Sequence, residues 1–170
     1  MKEFGLGSRV SHPIHGAGVV VNIEARDVGG ALTSYYIVDL LMKNMRVCIP
    51  VDKASDIGLR GIAPRNTVSR VFRIMAECPN LLVRKWNTRY QLNWDKIKTG
   101  DISKVAEVWR DLAWRHKRKG LSIIEKKMFN EVQDLLTSEL AFAMNVSRGE
   151  AETLITNVFR EKVRSETNGA

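Results

Sequence analysis

The sequence is poor in cysteine, in long apolar runs and in recognisable catalytic signatures, and each shortage excludes something. Two of the 170 residues are cysteine, Cys48 and Cys78, outside any CxxC spacing. A disulfide framework or cysteine-built metal site is therefore not expected, and both thiols are predicted to be free and largely buried. No stretch approaches the ~18 consecutive apolar residues of a membrane helix, and "MKEFGLGSRVSHPIH" lacks the apolar core of a secretory signal. The expectation is a cytoplasmic protein without a membrane partner. No P-loop, GxSxG, HExxH or glycine-rich dinucleotide fingerprint is present. No catalytic residue and no cofactor is assigned, and the chain does not read as an enzyme. His12 and His15 in "HPIHG" lie three apart. A metal would need two further ligands, with Cys48 the one candidate nearby, so a structural turn and no metal is expected.

What is present is ordinary globular material with an uneven charge. Hydrophobic residues make up 44% and charged residues 27%, enough to build a core. The formal net charge is +8, which favours a polyanionic partner without identifying it. Residues 1–60 hold seven of the 27 Lys/Arg and six of the 19 Asp/Glu, leaving 20 basic and 13 acidic residues for the rest. The basic excess belongs to the second part of the chain.

The two parts also differ in period. "GAGVVVNIEAR" reads as a strand, "DVGGAL" as a Gly-Gly hairpin turn, "SYYIVDLL" as a second strand, "MKN" as a second turn and "MRVCIP" as a third strand ended by Pro50. In that third strand Arg46, Cys48 and Pro50 share one face and Met45, Val47 and Ile49 the other. Short strands about ten residues apart predict a small antiparallel barrel of SH3 or Tudor size. From about Asn66 the period is helical. Ile102, Val105, Ala106, Trp109, Leu112 and Ala113 follow the i, i+3, i+4, i+7 rule, with Asp101 placed to cap and Gly120 to close that helix. Ser122 with Glu125 predicts a capping box for a helix that buries Ile124, Met128, Val132, Leu135, Leu136 and Leu140. Ser147 with Glu150 opens a last helix carrying Leu154, Ile155, Val158 and Phe159. Two shorter helices near 67–77 and 84–98, separated by Pro79, complete five. The fold class is α+β by segregated domains: a β-barrel domain over 1–62, a helical domain over 63–165 and a polar tail over 166–170.

The stretch "RKWNTRYQLNW" carries the functional question. Trp86, Tyr90 and Trp94 fall at i, i+4 and i+8, and Ile97 continues the stripe. A packed aromatic face is one reading. The other notes that Arg84, Lys85, Arg89, Lys96 and Lys98 surround the stripe while only Asp95 opposes them. Exposed aromatics among cations suit a minor-groove wedge or a base-stacking platform. Residue physics leaves the two open.

The chain resembles the CarD/CdnL family of bacterial transcription regulators over nearly all of residues 4–160. The resemblance is carried by "HPIHGAGVV", "YYIVDL" and "RVCIPV", then by "KWNTRYQLNWDKIKTGDISKVAEVWRDLAWRHKRKGLSIIEKKM". The N-terminal part is also similar to the polymerase-interacting module of transcription–repair coupling factors, without their helicase motors. The resemblance implies a Tudor-like domain that binds the β subunit of RNA polymerase. It further implies a helical domain that touches promoter double-stranded DNA at the upstream edge of the melted bubble and stabilises the open complex. A monomer, brought to the nucleoid by polymerase, fits the family. By the same resemblance Trp86 is a wedge in the minor groove, Lys126 in "GLSxxEK" contacts a phosphate, and Lys85 and Arg89 beside Trp86 supply further cations. Tyr90 and Trp94 are assigned to the core. Gln91 stands where relatives are often basic. "MRVCIP" would add as a strand to the polymerase lobe through Arg46, Val47, Cys48 and Ile49, with Arg26 at a matching basic position. Cys48 departs from relatives that carry arginine there, and Arg46 on the same face is its substitute. The competing readings are a stand-alone nucleic-acid-binding module and a protein–protein adaptor with Trp86 buried.

Overall fold

A computed structural model describes residues 4–79 and 85–168. Five strands come first, β1 (Arg9–His12), β2 (Gly16–Val28), β3 (Ala31–Leu40), β4 (Arg46–Pro50) and β5 (Arg60–Gly61). Five helices follow, α1 (Arg65–Ala76), α2 (Trp86–Lys98), α3 (Ile102–Lys119), α4 (Ile123–Met144) and α5 (Arg148–Asn168). The fold is α+β with its strands and helices segregated along the chain, as the change of period predicts. None of the described helices is long and apolar enough to cross a membrane.

The sheet is antiparallel and open, in the order β4-β3-β2-β1-β5, so β4 and β5 are its edges. Gly29 and Gly30, with φ of 65° and 86°, form the two-residue loop between β2 and β3, a conformation that side chains with a Cβ resist. Asp27 Oδ1 accepts the Gly30 N–H at 2.8 Å and fixes the turn. A bulge between Val20 and Asn22 interrupts the β2–β3 register. Before it Val20 is buried; beyond it the hairpin runs out past the core with Val28 and Leu32 exposed at its tip. β1 and β5 escape the sequence reading. β5 has two residues, too few for alternation to register.

Helix ends follow their local chemistry. Asp101 accepts the Ser103 N–H at 2.8 Å and caps α3, and Gly120 with φ of 77° closes it. Ser122 and Glu125 form the expected capping box on α4, and Ser147 and Glu150 bond reciprocally at the start of α5. α5 stays helical through Asn168, into the polar stretch expected to be a tail. The bundle core holds Met75, Val108, Trp109, Trp114, Met128, Val132, Leu136 and Ile155, with Phe129 stacked on Trp109 at 5.9 Å and Phe159 edge-on to Trp114 at 5.4 Å. A separate core of Val10, Val20, Tyr36, Val38, Leu40 and Ile49 lies under the sheet.

A buried carboxylate lies at the centre of the contact between sheet and bundle. Glu139 of α4, 4% exposed, takes two N–H bonds from the Arg60 guanidinium, the Ser11 hydroxyl at 3.0 Å and the Ala63 N–H at 2.9 Å. Arg60 also donates to the Gly100 carbonyl in the α2–α3 turn at 2.8 Å. Beside this, the Ala17 N–H bonds Ser138 Oγ at 3.0 Å. A buried charge is tolerated only when paired and fully bonded, so the network ties β1, β5, α4 and the α2–α3 turn in one arrangement. Glu139 is the one charged residue in the run Leu135–Met144, which was its signal in the sequence.

Two expectations are corrected. Both thiols are exposed. Cys48 points outward because it alternates with Ile49 on β4, and Cys78 lies just beyond α1, where Glu166 accepts from its thiol. Ile124 is exposed where burial was expected. The inward position of that first turn is taken by Glu125, which two arginines hold.

Candidate nucleic-acid and polymerase-binding interfaces

α2 grades from surface to core along its own length. Trp86, its first residue, is 55% exposed; Tyr90 and Trp94 are half-buried against the bundle core, and Ile97 is fully inside. The rings form a chain, Trp86 to Tyr90 at 6.5 Å and Tyr90 to Trp94 edge-on at 6.3 Å. The core assignment of Tyr90 and Trp94 agrees with this packing, and an adaptor with Trp86 buried does not.

The cations around Trp86 are less unopposed than the sequence suggests. Arg89 Nη2 donates to Glu125 Oε1 at 3.0 Å, and Lys96 pairs with Glu107 at 2.7 Å. These partners come from α4 and α3, so the pattern within α2 could not reveal them. Lys85 just before α2 and Gln91 and Lys98 on it are exposed, as are Lys126 and Lys127 on α4. Arg84 lies outside the described residues.

Glu125 organises this end of the bundle. Besides Arg89 it pairs with Arg115 Nε at 3.0 Å and accepts the Ser122 N–H at 3.1 Å. Burial alone would push its carboxyl up; the Ser122 N–H, Arg89, the Ser122 hydroxyl and Arg115 outweigh that and hold it below the ordinary carboxylate range. The carboxylate thus brings together the first turn of α2, the end of α3 with His116, Lys117, Arg118 and Lys119 in its last turn, and the first turn of α4. Trp86, Lys85, Arg89 and Lys126 lie within or next to these first turns, with the basic last turn of α3 adjoining them.

The remaining candidates lie on the sheet. β4 is an edge strand whose one neighbour is β3. Arg46 and Cys48 face outward, Val47 is half-buried and Ile49 is in the core. Ile49 therefore offers a partner its backbone and not its side chain. Arg46 lies 3.9 Å from Asp39, both largely exposed. Arg26 on β2 bonds Glu24 at 2.8 Å and sits over the Tyr35 ring at 5.7 Å. Glu24 first, and then the nearby Cys48, favour its charged form. Arg26, Tyr35 and Cys48 thus form one outward patch over β2, β3 and β4. Tyr35 was missed in the sequence; β3 buries Tyr36, Ile37 and Val38 in succession, so simple alternation does not describe it, and Tyr35 is half-exposed just before that run.

His12 and His15 form a turn. His12 Nδ1 accepts the Ile14 N–H at 3.1 Å and the His15 N–H at 3.3 Å, and the two rings lie 4.6 Å apart. Burial, then His15 and Lys43, lower the His12 pKa from 6.5 to about 4, so His12 stays a neutral acceptor at ordinary pH.

Comparison with known proteins matches both parts of this architecture. Residues 70–156 match the family described as "CarD, C-terminal domain", and residues 4–63 match "CarD-like/TRCF RID domain". The chain is 34% identical over 137 residues to the protein named "Putative transcription factor YdeB" of Bacillus subtilis (strain 168), covering 81% of this chain and 90% of that one. An open five-stranded sheet of the RNA polymerase-interacting kind, joined to a five-helix bundle with a tryptophan exposed at its basic end, therefore belongs to the CarD family of transcription regulators.

Proposed function

We propose that the protein docks on the β subunit of RNA polymerase through the β4 edge and the Arg26–Tyr35–Cys48 patch, and sets Trp86 as a minor-groove wedge at the upstream edge of the transcription bubble. The observation that carries this reading is the exposure of Trp86 at the head of an aromatic chain whose other members pack inward.

An exposed edge strand presents unpaired backbone groups in a row, which a strand of another protein can complete. Arg46 and Cys48 on that strand give side-chain contacts. On the DNA side a wedge costs a few kcal/mol for each base step it unstacks. The cost is smallest where pairing is already broken. A protein that binds the junction of paired and melted DNA better than closed duplex shifts the equilibrium toward the open complex. Lys85 and Lys126 neutralise phosphates; Arg89 contributes less because Glu125 offsets its charge. About three neutralised phosphates give a salt slope of roughly −3, too little for firm binding alone at physiological salt. Docking on polymerase raises the effective concentration enough to compensate, and the Glu139 network holds Trp86 in a set direction from the docking edge.

The test is open-complex lifetime on a ribosomal promoter with polymerase from the same organism, comparing no addition, wild type and Trp86→Ala, with thermal melting of both proteins. The expected result is a longer lifetime with wild type, lost in a mutant that melts normally. No lengthening by wild type would overturn the reading. Tight, strongly salt-dependent DNA or RNA binding without polymerase would favour a stand-alone module instead.

A further inference from the structure

We infer that Ile123 is a second apolar DNA contact beside Trp86, meeting the sugar edges of the minor groove. This rests on the reading of Trp86 as a wedge and extends it to a residue on another helix. Ile123 is the first residue of α4 and is 87% exposed, the most exposed large apolar side chain among the described residues; Ile124 beside it is also exposed. Folding gives no reason for this pair. The inward positions of that helix are Glu125 and Met128, and β-branched residues are mediocre helix formers.

Their location supplies the reason. Glu125, two residues after Ile123, is bonded to Arg89, three residues after Trp86. The first turns of α4 and α2 are thereby tied by one ion pair, and both begin with a large exposed apolar side chain. Lys85, Lys126 and Lys127 are exposed around them, with Lys117, Arg118 and Lys119 at the adjoining end of α3. An apolar surface inside a rim of one charge sign complements a minor groove, whose floor is sugar and base edges and whose walls are phosphates. Isoleucine is among the side chains that serve as groove wedges. Sidewise contact by Ile123 would widen the area gripped at the junction and slow its reannealing.

The experiment repeats the open-complex lifetime with wild type, Ile123→Ser, Ile123→Leu and Trp86→Ala, adding hydroxyl-radical footprints of the upstream DNA and capture of polymerase without DNA. Ile123→Ser is expected to melt like wild type, to retain polymerase and to shorten the lifetime roughly five-fold, on the scale of losing one apolar contact. It should also lose minor-groove protection beside the wedge, with Ile123→Leu restoring both. A wild-type lifetime for Ile123→Ser, while Trp86→Ala is defective, would overturn the inference and leave the Trp86 reading standing. Loss of polymerase capture by Ile123→Ser would overturn it by assigning the isoleucine to a protein contact. Failure of wild type to lengthen the lifetime would remove the Trp86 reading and this inference together.

Discussion

Helices α2 and α3 each carry two tryptophans and use them differently. In α3, Trp109 and Trp114 are both inside; Trp109 donates to Gln133, and Lys117 and Arg118 lie over the Trp114 ring at 5.2 and 5.4 Å. In α2, Trp94 is half-buried and Trp86 is mostly in solvent. The difference lies in what surrounds each helix. α3 packs against α1, α2 and α4, whereas Trp86 at the head of α2 stays mostly in solvent, one turn from the Arg89–Glu125 ion pair that reaches the first turn of α4. The same residue type stabilises the fold where other helices cover it and stays in solvent where they do not, which leaves Trp86 available for the recognition proposed for it.

The largest effect should come from the buried side of this comparison. Trp114→Ala is expected to cost about 3–5 kcal/mol in a denaturant titration, with any loss of function following from unfolding. Arg60→Ala comes next, at about 2–4 kcal/mol, because it strips a buried carboxylate of its partner and frees the α2–α3 turn. Adding Glu139→Gln should recover part of that loss, which a two-by-two melting series would read.

The histidine turn gives a pH signature. The folded-state pKa of His12 lies below the unfolded value of 6.5, at about 4. Its contribution is therefore fully present above pH 6.5 and is lost as pH falls toward 4. Stability measured across that window should decline less in His12→Asn, whose amide oxygen can still accept at the turn.

Smaller effects belong to the exposed side. Trp86→Ala should change stability by no more than about 0.5 kcal/mol, as for other surface substitutions, and a cost near that of Trp114→Ala would erase the distinction between the two helices. Lys126→Ala should reduce the steepness of the salt dependence of DNA binding by about one, read by titrating salt in a polymerase–promoter complex.

What the sequence revealed depended on range. The α3 stripe, the Ser122–Glu125 box and the Gly29–Gly30 turn were legible because each is decided within a few residues. The edge position of β4 and the exposure of Trp86 were expected through resemblance, since periodicity within α2 left Trp86 open. The rest was decided between elements. Glu125 recruits arginines from α2 and α3, Glu139 recruits Arg60 across the two parts of the chain, and Ile124 is exposed because a bonded carboxylate occupies the inward place. Hydrophobic spacing states which face of a helix is apolar, not how far its first turn reaches beyond its neighbours.

Trp86 is expected to meet promoter DNA in the complex with polymerase, a contact that a crosslink reads. That contact is tested most directly by placing a photo-crosslinking residue at position 86 and irradiating the complex of this protein, its polymerase and a promoter. Crosslinks confined to DNA at the upstream edge of the bubble, dependent on polymerase and lost when the promoter is kept closed, are the expected result. Crosslinks to polymerase protein, or DNA crosslinks spread evenly along closed duplex, would contradict it.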